Sequence, residues 1–175
     1  MLISYYGTGR GKTTAALGAA VRYAGHRDNK AIIISFLKKP KINYYGESKF
    51  LYAACKQNLV IKRFGADFIK DKDNIDLENS NQAYVGWLTA REALTGNDYG
   101  MIVLDEFSTV LNLRMLDNQD RIIKTVQNAS LAKHVIVTGR EPNKILNEEA
   151  DMITLMLEIE HPFNEGVPAS EGIEF

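Results

Sequence analysis

The most informative segment of this chain is Gly7-Thr8-Gly9-Arg10-Gly11-Lys12-Thr13-Thr14, which lies between an apolar run and a helical pattern. Its three glycines let the backbone curl so that successive N–H groups point into one concavity that suits an anion. The helix that follows adds its free N–H groups and the positive end of its dipole. The Lys12 ammonium can reach terminal phosphates, and the Thr13 hydroxyl is placed to ligate Mg²⁺. We therefore predict that these eight residues bind a nucleoside triphosphate, and we prefer this interpretation to a glycine turn that caps a helix.

A carboxylate at the end of another buried strand would complete such a site. Asp105 and Glu106 follow the apolar run Met101–Leu104. Asp105 is placed to hold Mg²⁺ directly or through water. Glu106 can orient a water molecule, as in hydrolytic enzymes, or order the groups around the metal. We predict Lys12, Asp105 and Glu106 as catalytic residues. The predicted metal ligands are Thr13, Asp105 and Glu106.

Two arginines are further candidates for ATP binding. Arg140 follows the apolar run His134–Thr138 and should lie at the same edge of the predicted sheet. There it can contact phosphate or pair with a surface carboxylate. Arg22 lies near the end of the first predicted helix, where it can bind phosphate or face solvent.

Short β-branched runs alternate with helical patterns along the chain, which is typical of an α/β domain with a mainly parallel sheet. Several runs are apolar on consecutive residues, so we expect helices on both faces of the sheet. The fold class is thus a RecA-like P-loop α/β domain of about six strands, and residues 1–175 read as a single domain. The predicted strands are Leu2–Tyr6, Ala31–Phe36, Leu59–Phe64, Met101–Leu104, His134–Thr138 and Ile153–Leu157. The predicted helices are Gly11–Ala24, Glu47–Gln57, Glu78–Leu94, Gln119–Asn128 and Asn143–Glu148. We expect Gly25 to end the first helix in a left-handed conformation.

Composition excludes several classes of protein. The 175 residues include 21 Lys and Arg and 22 Asp and Glu, a net charge of −1. This balance argues against binding nucleic acid or an anionic membrane by bulk charge. No apolar run reaches the roughly 18 residues that span a bilayer, and the N-terminus carries no secretion signal, so we expect a cytoplasmic protein. The single cysteine, Cys55, excludes an intrachain disulfide and a site built from several cysteines.

Together these features resemble the P-loop type ATP:corrinoid adenosyltransferases, a family of cobalamin synthesis and salvage. The octapeptide and the Ala15-Ala16-Leu17-Gly18 that follows it are similar to the family's GNGKGKTTAAxG. The family, like this chain with Tyr6, lacks the first glycine of the general GxxxxGK[ST] pattern. Other matching segments are Arg22 with Ala24-Gly25-His26, Ser35-Phe36-Leu37-Lys38, Gly46-Glu47, Leu104-Asp105-Glu106, Thr138-Gly139-Arg140, Glu149-Ala150-Asp151, His161-Pro162-Phe163 and Gly172-Ile173-Glu174-Phe175. The resemblance covers essentially the whole chain.

The resemblance implies a reaction that needs no protein nucleophile or general base. In that family a corrinoid reduced to Co(I) attacks C5′ of ATP, which gives an adenosylcorrinoid and inorganic triphosphate. Lys12, the loop N–H groups and Mg²⁺ on the predicted metal ligands would stabilise the leaving triphosphate. The implied partners are the corrinoid, a second copy of the chain in a homodimer and an electron-donating reductase, with no nucleic acid and no membrane.

Corrinoid binding is implied for the segment that follows the third predicted strand. Family members carry a G-x-G-F-x-W-like segment whose aromatic side chains face the corrinoid and help keep the lower axial position of cobalt empty. This chain has Gly65-Ala66-Asp67-Phe68-Ile69-Lys70, so Phe68 keeps its place and Lys70 stands at the tryptophan position. The resemblance thus assigns Phe68 and Lys70 to corrinoid binding. Trp87 lies in a later helical pattern and is expected in the core.

Two other functions remain open at this point. A RecA-like Mg-dependent ATPase would share the glycine loop and the Asp105-Glu106 pair, but it would release ADP and phosphate. The near-neutral charge counts weakly against its nucleic-acid-handling form. A non-catalytic corrinoid or nucleotide carrier would suit Lys70 at the tryptophan position, whereas the intact Lys12 and Thr13 count against it.

Overall fold

Strands and helices alternate along most of the chain in a computed structural model that describes residues 1–26, 28–39, 46–54, 58–66 and 77–173. The strands are β1 (Leu2–Tyr6), β2 (Ala31–Phe36), β3 (Leu59–Phe64), β4 (Met101–Asp105), β5 (His134–Gly139) and β6 (Met152–Leu155). The helices are α1 (Lys12–Ala24), α2 (Gly46–Ala54), α3 (Leu77–Thr95), α4 (Phe107–Asn112), α5 (Gln119–Ser130) and α6 (Lys144–Glu148). One turn of 3₁₀-helix covers Pro162–Glu165.

All six strands are parallel, in the order β3-β2-β4-β5-β1-β6. β4 lies between β2 and β5, so that Ser35 is beside Asp105 in the register. The glycine loop follows β1, which pairs with β5 and β6. Because parallel strands end at a common edge, the segments after β1, β2, β4 and β5 meet there. The expected P-loop α/β class with a parallel sheet is confirmed.

One face of the sheet is covered by α1 and α2. The buried residues of α1 that face the sheet are alanines: Ala16, Ala20 and Ala24. They pack with Ile33 of β2 and Val103 of β4, which are themselves almost fully buried. Small side chains at this spacing let the helix lie close to the strands, because they form one helical face without bulk. The start of α1, and with it the glycine loop, is thereby held against the sheet.

The other face is covered by α3 to α6 around an aromatic cluster. Trp87 of α3 and Phe107 of α4 stack with ring centroids 5.8 Å apart. The ring centroid of Phe36, at the end of β2, lies 5.0 Å from that of Phe107. Burying a side chain of this size stabilises the fold by about 2–3 kcal/mol, and the expected core position of Trp87 is confirmed. No helix in the described ranges is long and apolar enough to cross a membrane.

The predicted boundaries agree closely for the strands. The first three strands match to the residue, and β4 and β5 each extend one residue further, to Asp105 and Gly139. β6 runs from Met152 to Leu155 rather than from Ile153 to Leu157, because its partner β1 ends at Tyr6, opposite Leu155. The predicted end of the second helix, with Cys55, lies outside the described residues.

Two local expectations were wrong. Gly25 has φ −71°, an ordinary right-handed conformation, and the positive φ of the following turn falls on Asp28 at 65°. The sequence pattern also gave no sign of α4. This helix begins at Phe107, directly after the Asp-Glu pair, with Glu106 as its left-handed N-cap and no spacer of turn residues.

Candidate active site

The glycine loop joins β1 to α1 and is held by the segment after β6 and by the end of β5. The Gly7 N–H donates to the Arg140 carbonyl at 3.0 Å, and the Gly9 N–H donates to the Met156 carbonyl at 2.8 Å. A Cβ on Gly7 would lie 2.1 Å from the Met156 oxygen, and one on Gly9 would lie 2.5 Å from the Leu157 oxygen. Gly7 also has φ +125°, where a side chain is strained. These glycines are therefore required by close backbone approach as well as by curvature.

Lys12 is the first residue of α1, and its ammonium lies inside the loop. Its Nζ donates to the carbonyls of Gly7 and Gly9, both at 2.7 Å. Burial lowers the pKa of Lys12, and this effect exceeds the opposing influence of the Glu106 and Asp105 carboxylates. A bound phosphate would reverse the shift, since negative charge favours the ammonium. The loop thus holds a partly desolvated cation at the place where an anion would bind.

Asp105 is the end of β4 and the most buried charged group of the site. Its Oδ1 accepts from Thr13 Oγ1 at 2.9 Å and from Thr138 Oγ1 at 2.8 Å. Its Oδ2 accepts from Lys38 Nζ at 2.5 Å. Burial alone would raise the pKa of Asp105, but the Lys38 ammonium and the hydrogen bonds from Lys38, Thr138 and Thr13 outweigh it and hold this pKa below its ordinary value. Asp105 is therefore a carboxylate, not a carboxylic acid, at neutral pH.

The oxygen atoms of Thr13 and Asp105 suit a magnesium ion that arrives with a nucleotide. Mg²⁺ takes oxygen ligands and is usually held by one or two carboxylates together with substrate phosphates and water. Within the described ranges no group of three or more His, Cys, Asp or Glu side chains could hold a metal, so the phosphates would have to supply ligands. A positive charge already contacts both oxygens, because Lys38 Nζ lies 3.1 Å from Thr13 Oγ1 and 2.5 Å from Asp105 Oδ2. The donor set therefore fits Mg²⁺.

Glu106 has a left-handed backbone, with φ 61°, and begins α4 as its N-cap. For a residue other than glycine this conformation costs about 1–2 kcal/mol, and such strain concentrates at functional sites. Its N–H donates to Thr138 Oγ1 at 2.9 Å, and its Oε2 accepts from Thr109 Oγ1 at 2.8 Å. A Cβ on Gly139 would lie 1.9 Å from Ser108 Oγ. The end of β5 and the start of α4 therefore pack tightly enough to hold Glu106 in this conformation.

The structure brings most of the predicted site residues together. Lys12, Thr13, Asp105 and Glu106 meet at the carboxyl edge of the sheet, and Arg140 adjoins the loop through its carbonyl. The remaining loop side chains, those of Thr8, Arg10 and Thr14, are exposed.

Arg22 is not brought to the loop. It lies exposed in the last turn of α1, ten residues beyond Lys12. At 1.5 Å per residue the two positions are about 15 Å apart along the helix. The assignment of Arg22 to ATP binding therefore stays a prediction. The two predicted corrinoid residues, Phe68 and Lys70, lie outside the described residues.

Two residues of the cluster were not predicted as site residues. Lys38 and Thr138 belong to two of the segments that resemble the family, but the sequence pattern gives neither residue a role in the site. A signal was available, because each lies at or just after the end of a strand that could neighbour the strand of Asp105. Which strands are neighbours is a property of the fold, so the sequence alone did not select them.

Comparison with known proteins agrees with this geometry. A family model described as ATP:corrinoid adenosyltransferase BtuR/CobO/CobP matches residues 1–175. The chain belongs to this family. The expected family resemblance is confirmed over the full length, and the family is one of transferases.

Several curated proteins named corrinoid adenosyltransferase are similar to this chain. The protein from Pseudomonas aeruginosa is 29% identical over 175 residues, which cover 100% of this chain and 83% of that protein. The one from a Sinorhizobium species is 27% identical over 183 residues, covering 100% and 80%. The one from Escherichia coli K12 is 27% identical over 175 residues, covering 100% and 85%.

Proposed function

We propose that this protein transfers the 5′-deoxyadenosyl group of ATP to the Co(I) centre of a reduced corrinoid, in cobalamin synthesis or salvage. The observation that carries the proposal is the convergence of Lys12, Thr13 and Asp105 around a glycine loop, in a chain that matches the adenosyltransferase family from end to end.

The bonds and charges of this reaction balance without a protein base. The electron pair of Co(I) forms the Co–C bond at C5′, the C5′–O bond breaks, and its electron pair leaves on the triphosphate oxygen. No proton has to be removed. The protein must instead align C5′ with cobalt and stabilise the negative charge that grows on the leaving group.

The described residues suit that task. The Lys12 ammonium and the loop N–H groups would hold the triphosphate, and the phosphate oxygens would replace the Gly7 and Gly9 carbonyls as partners of Lys12. Thr13 and Asp105 would hold Mg²⁺, which when bound neutralises charge on phosphate oxygens. The Glu106 carboxylate would make the local electrostatic potential more negative, which favours cations in the site. Its hydrogen bond with Thr109 places its carboxylate beside α4, so its proposed role is in holding the metal and its surroundings, not in activating water.

The finer parts of the proposal rest on the family resemblance. Phe68 and Lys70 would face the corrinoid, and a separate reductase would supply the electron that generates Co(I). The active form would be a homodimer. We place the reaction in the cytoplasm, where ATP and reducing systems coexist.

An anaerobic assay tests the reaction class. The protein is mixed with Mg²⁺, ATP and chemically reduced Co(I) corrinoid, while the cobalt absorption spectrum is followed and the phosphate product is identified. We expect an adenosylated corrinoid and inorganic triphosphate in equal amounts. Release of ADP and phosphate without a spectral change would assign an ATPase instead. Binding without any turnover would assign a carrier.

A further inference from the structure

The proposed reaction assigns no role to Lys38, although its ammonium lies in the middle of the active-site cluster. Its Nζ contacts Thr13 Oγ1 at 3.1 Å and Asp105 Oδ2 at 2.5 Å, the two side chains proposed to hold the metal. Asp105 is fully buried, whereas a fifth of the Lys38 side chain is exposed. A buried carboxylate without a counter-charge is strongly destabilising, and the Lys38 ammonium supplies that counter-charge to Asp105.

An ammonium in this position is incompatible with a metal ion on the same oxygens. Mg²⁺ binds oxygen at about 2.0–2.1 Å and keeps a full shell of ligands. An ammonium that is hydrogen-bonded to both Thr13 Oγ1 and Asp105 Oδ2 occupies the space that the metal and its other ligands need. Two positive charges at contact distance also repel each other. Lys38 and Mg²⁺ must therefore occupy this position at different times.

The backbone of Lys38 packs closely against the end of β3, so the side chain is the part that we expect to move. The Lys38 N–H donates to the Phe64 carbonyl at 3.4 Å, at the end of the neighbouring strand. A Cβ on Gly65 would lie 2.4 Å from the Lys38 nitrogen, which shows how closely the two backbones pack. A lysine ammonium on a four-carbon stem can swing over several ångströms from such an anchor. The nearest new anion after ATP binds would be the triphosphate beside Thr13.

We propose that Lys38 is an exchangeable counter-cation that occupies the metal position of the free protein and moves to the triphosphate when Mg-ATP binds. The exchange leaves Asp105 paired with a cation in both states. It also keeps the free protein from taking up divalent metal without nucleotide. The proposal rests on the proposed function only in naming triphosphate as the leaving group. The exchange itself involves the metal and the nucleotide and not the corrinoid.

Metal binding without nucleotide tests the first half of the proposal. Mn²⁺ serves as the probe, and its free concentration is read from its electron paramagnetic resonance signal. We expect the wild type to bind Mn²⁺ weakly and Lys38→Met to bind it at least tenfold more tightly, since the competing ammonium is gone. Lys124→Met, which removes an exposed lysine from α5, is the matched control and should behave as wild type. Equal affinities of Lys38→Met and wild type would overturn the exchange.

A second variant covers the case in which Lys38→Met does not fold. Lys38→Gln keeps a donor for Asp105 but carries no charge, and it should also bind Mn²⁺ at least tenfold more tightly than wild type. Adding Asp105→Asn to the Lys38→Gln variant should abolish that gain. A gain that survives Asp105→Asn would place the metal elsewhere and overturn the proposal.

The effect of inorganic triphosphate on Mn²⁺ affinity tests the second half. Saturating triphosphate should raise the Mn²⁺ affinity of wild type and of Lys124→Met at least tenfold more than that of Lys38→Gln, because only proteins with Lys38 have an ammonium that the triphosphate draws away from Asp105. An equal increase in all three proteins would show that Lys38 does not move to the triphosphate. None of these measurements uses a corrinoid, so the exchange can hold if adenosyl transfer fails, and it can fail while transfer is observed.

Discussion

At the scale of single residues, Asp105 organises the charges of the site. Its carboxylate accepts hydrogen bonds from the Lys38 ammonium and from the hydroxyls of Thr13 and Thr138, at distances of 2.5 to 2.9 Å. The three donors belong to three different segments. Charge-assisted hydrogen bonds of this length are roughly twice as strong as neutral ones. Asp105 therefore links the glycine loop, the end of β2 and the end of β5 through one side chain.

Replacing Lys12 by alanine should nearly abolish turnover. The Lys12 ammonium donates to the carbonyls of Gly7 and Gly9 inside the loop, and removing one such stabilising donor typically costs about 100- to 1,000-fold in kcat. The test is the anaerobic Co(I) assay, with Lys124→Ala as an exposed-lysine control that should retain its rate. A Lys12→Ala protein with near-normal turnover would contradict the assignment of the loop.

Asp105 should make stability depend on acid pH. Because its folded-state pKa lies below the ordinary 3.8, its contribution is complete well above pH 4 and is lost as pH falls. Asp105→Asn should cost about 2–3 kcal/mol at pH 6. That difference from wild type should become smaller as pH falls from 5 to 3, because the lowered pKa makes protonation of Asp105 destabilise the folded protein. Urea unfolding of both proteins across this range measures it, and a gap that stays constant down to pH 3 would argue against the lowered pKa.

Phe68 is expected to act on the cobalt rather than on ATP. If it keeps the lower axial position empty, Phe68→Ala should slow the reaction more when cob(II)alamin must be reduced on the enzyme than when Co(I) is supplied. Rates from the two starting states, measured with the same reductant in excess, make the comparison. Equal slowing from both states would remove Phe68 from the axial role.

At the scale of elements, the contact between β5 and α4 holds the Glu106 conformation. Ser108 donates to the carbonyls of Thr138 and Glu141, at 3.2 and 2.9 Å, directly beside Gly139. A side chain at Gly139 would displace this network and, with it, the start of α4. The tight approach of the two elements is therefore a requirement of the site and not only of the core.

Gly139→Ala should both destabilise the protein and reduce its activity. The added Cβ would meet Ser108 Oγ at 1.9 Å, and overpacking of this kind costs about 1–3 kcal/mol. Gly18→Ala is the matched control, because nothing lies within 4 Å of its Cβ position in α1. Alanine there should stabilise the helix by about 0.5–1 kcal/mol. Urea unfolding compares the two, and a Gly139→Ala protein as stable as wild type would refute the argument.

At the scale of the whole molecule, β6 leaves an apolar edge on the sheet. Met152, Ile153 and Leu155 are each about half exposed, at 49%, 48% and 48%. β6 has β1 as its neighbour on one side and is the last strand on the other. Exposed apolar edge strands favour association with another chain. This edge is a candidate surface for the proposed homodimer.

The dimer prediction can be checked by light scattering after size-exclusion chromatography. We expect wild type at micromolar concentration to have twice the chain mass, and Ile153→Glu with Leu155→Glu to shift it to the monomer. Circular dichroism shows whether the variant stays folded, and Leu131→Glu, an exposed apolar residue after α5, is the control that should remain dimeric. A monomeric wild type would contradict the homodimer, and an unchanged variant would move the interface away from β6.

Much of the fold was predictable because its signals are local. Strand and helix patterns repeat every two or 3.6 residues, so short windows locate β1 to β3 to the residue. The glycine loop is likewise contiguous, and its spacing specifies an anion site without knowledge of the rest of the chain. α4 was missed for the opposite reason, since it is six residues long and is positioned by packing against β5.

The active-site cluster depends on contacts between distant segments. Lys38 lies 67 residues from Asp105 and Thr138 lies 33 residues away, yet all three meet because β4 lies between β2 and β5. Arg22 is the converse case: it is close to the loop in sequence, but α1 places it far from the loop in space. Spacing along the chain therefore sufficed to indicate the nucleotide loop and the class of fold. The order of the strands selected the partners of Asp105, because side chains far apart in sequence interact only where packing brings their elements together.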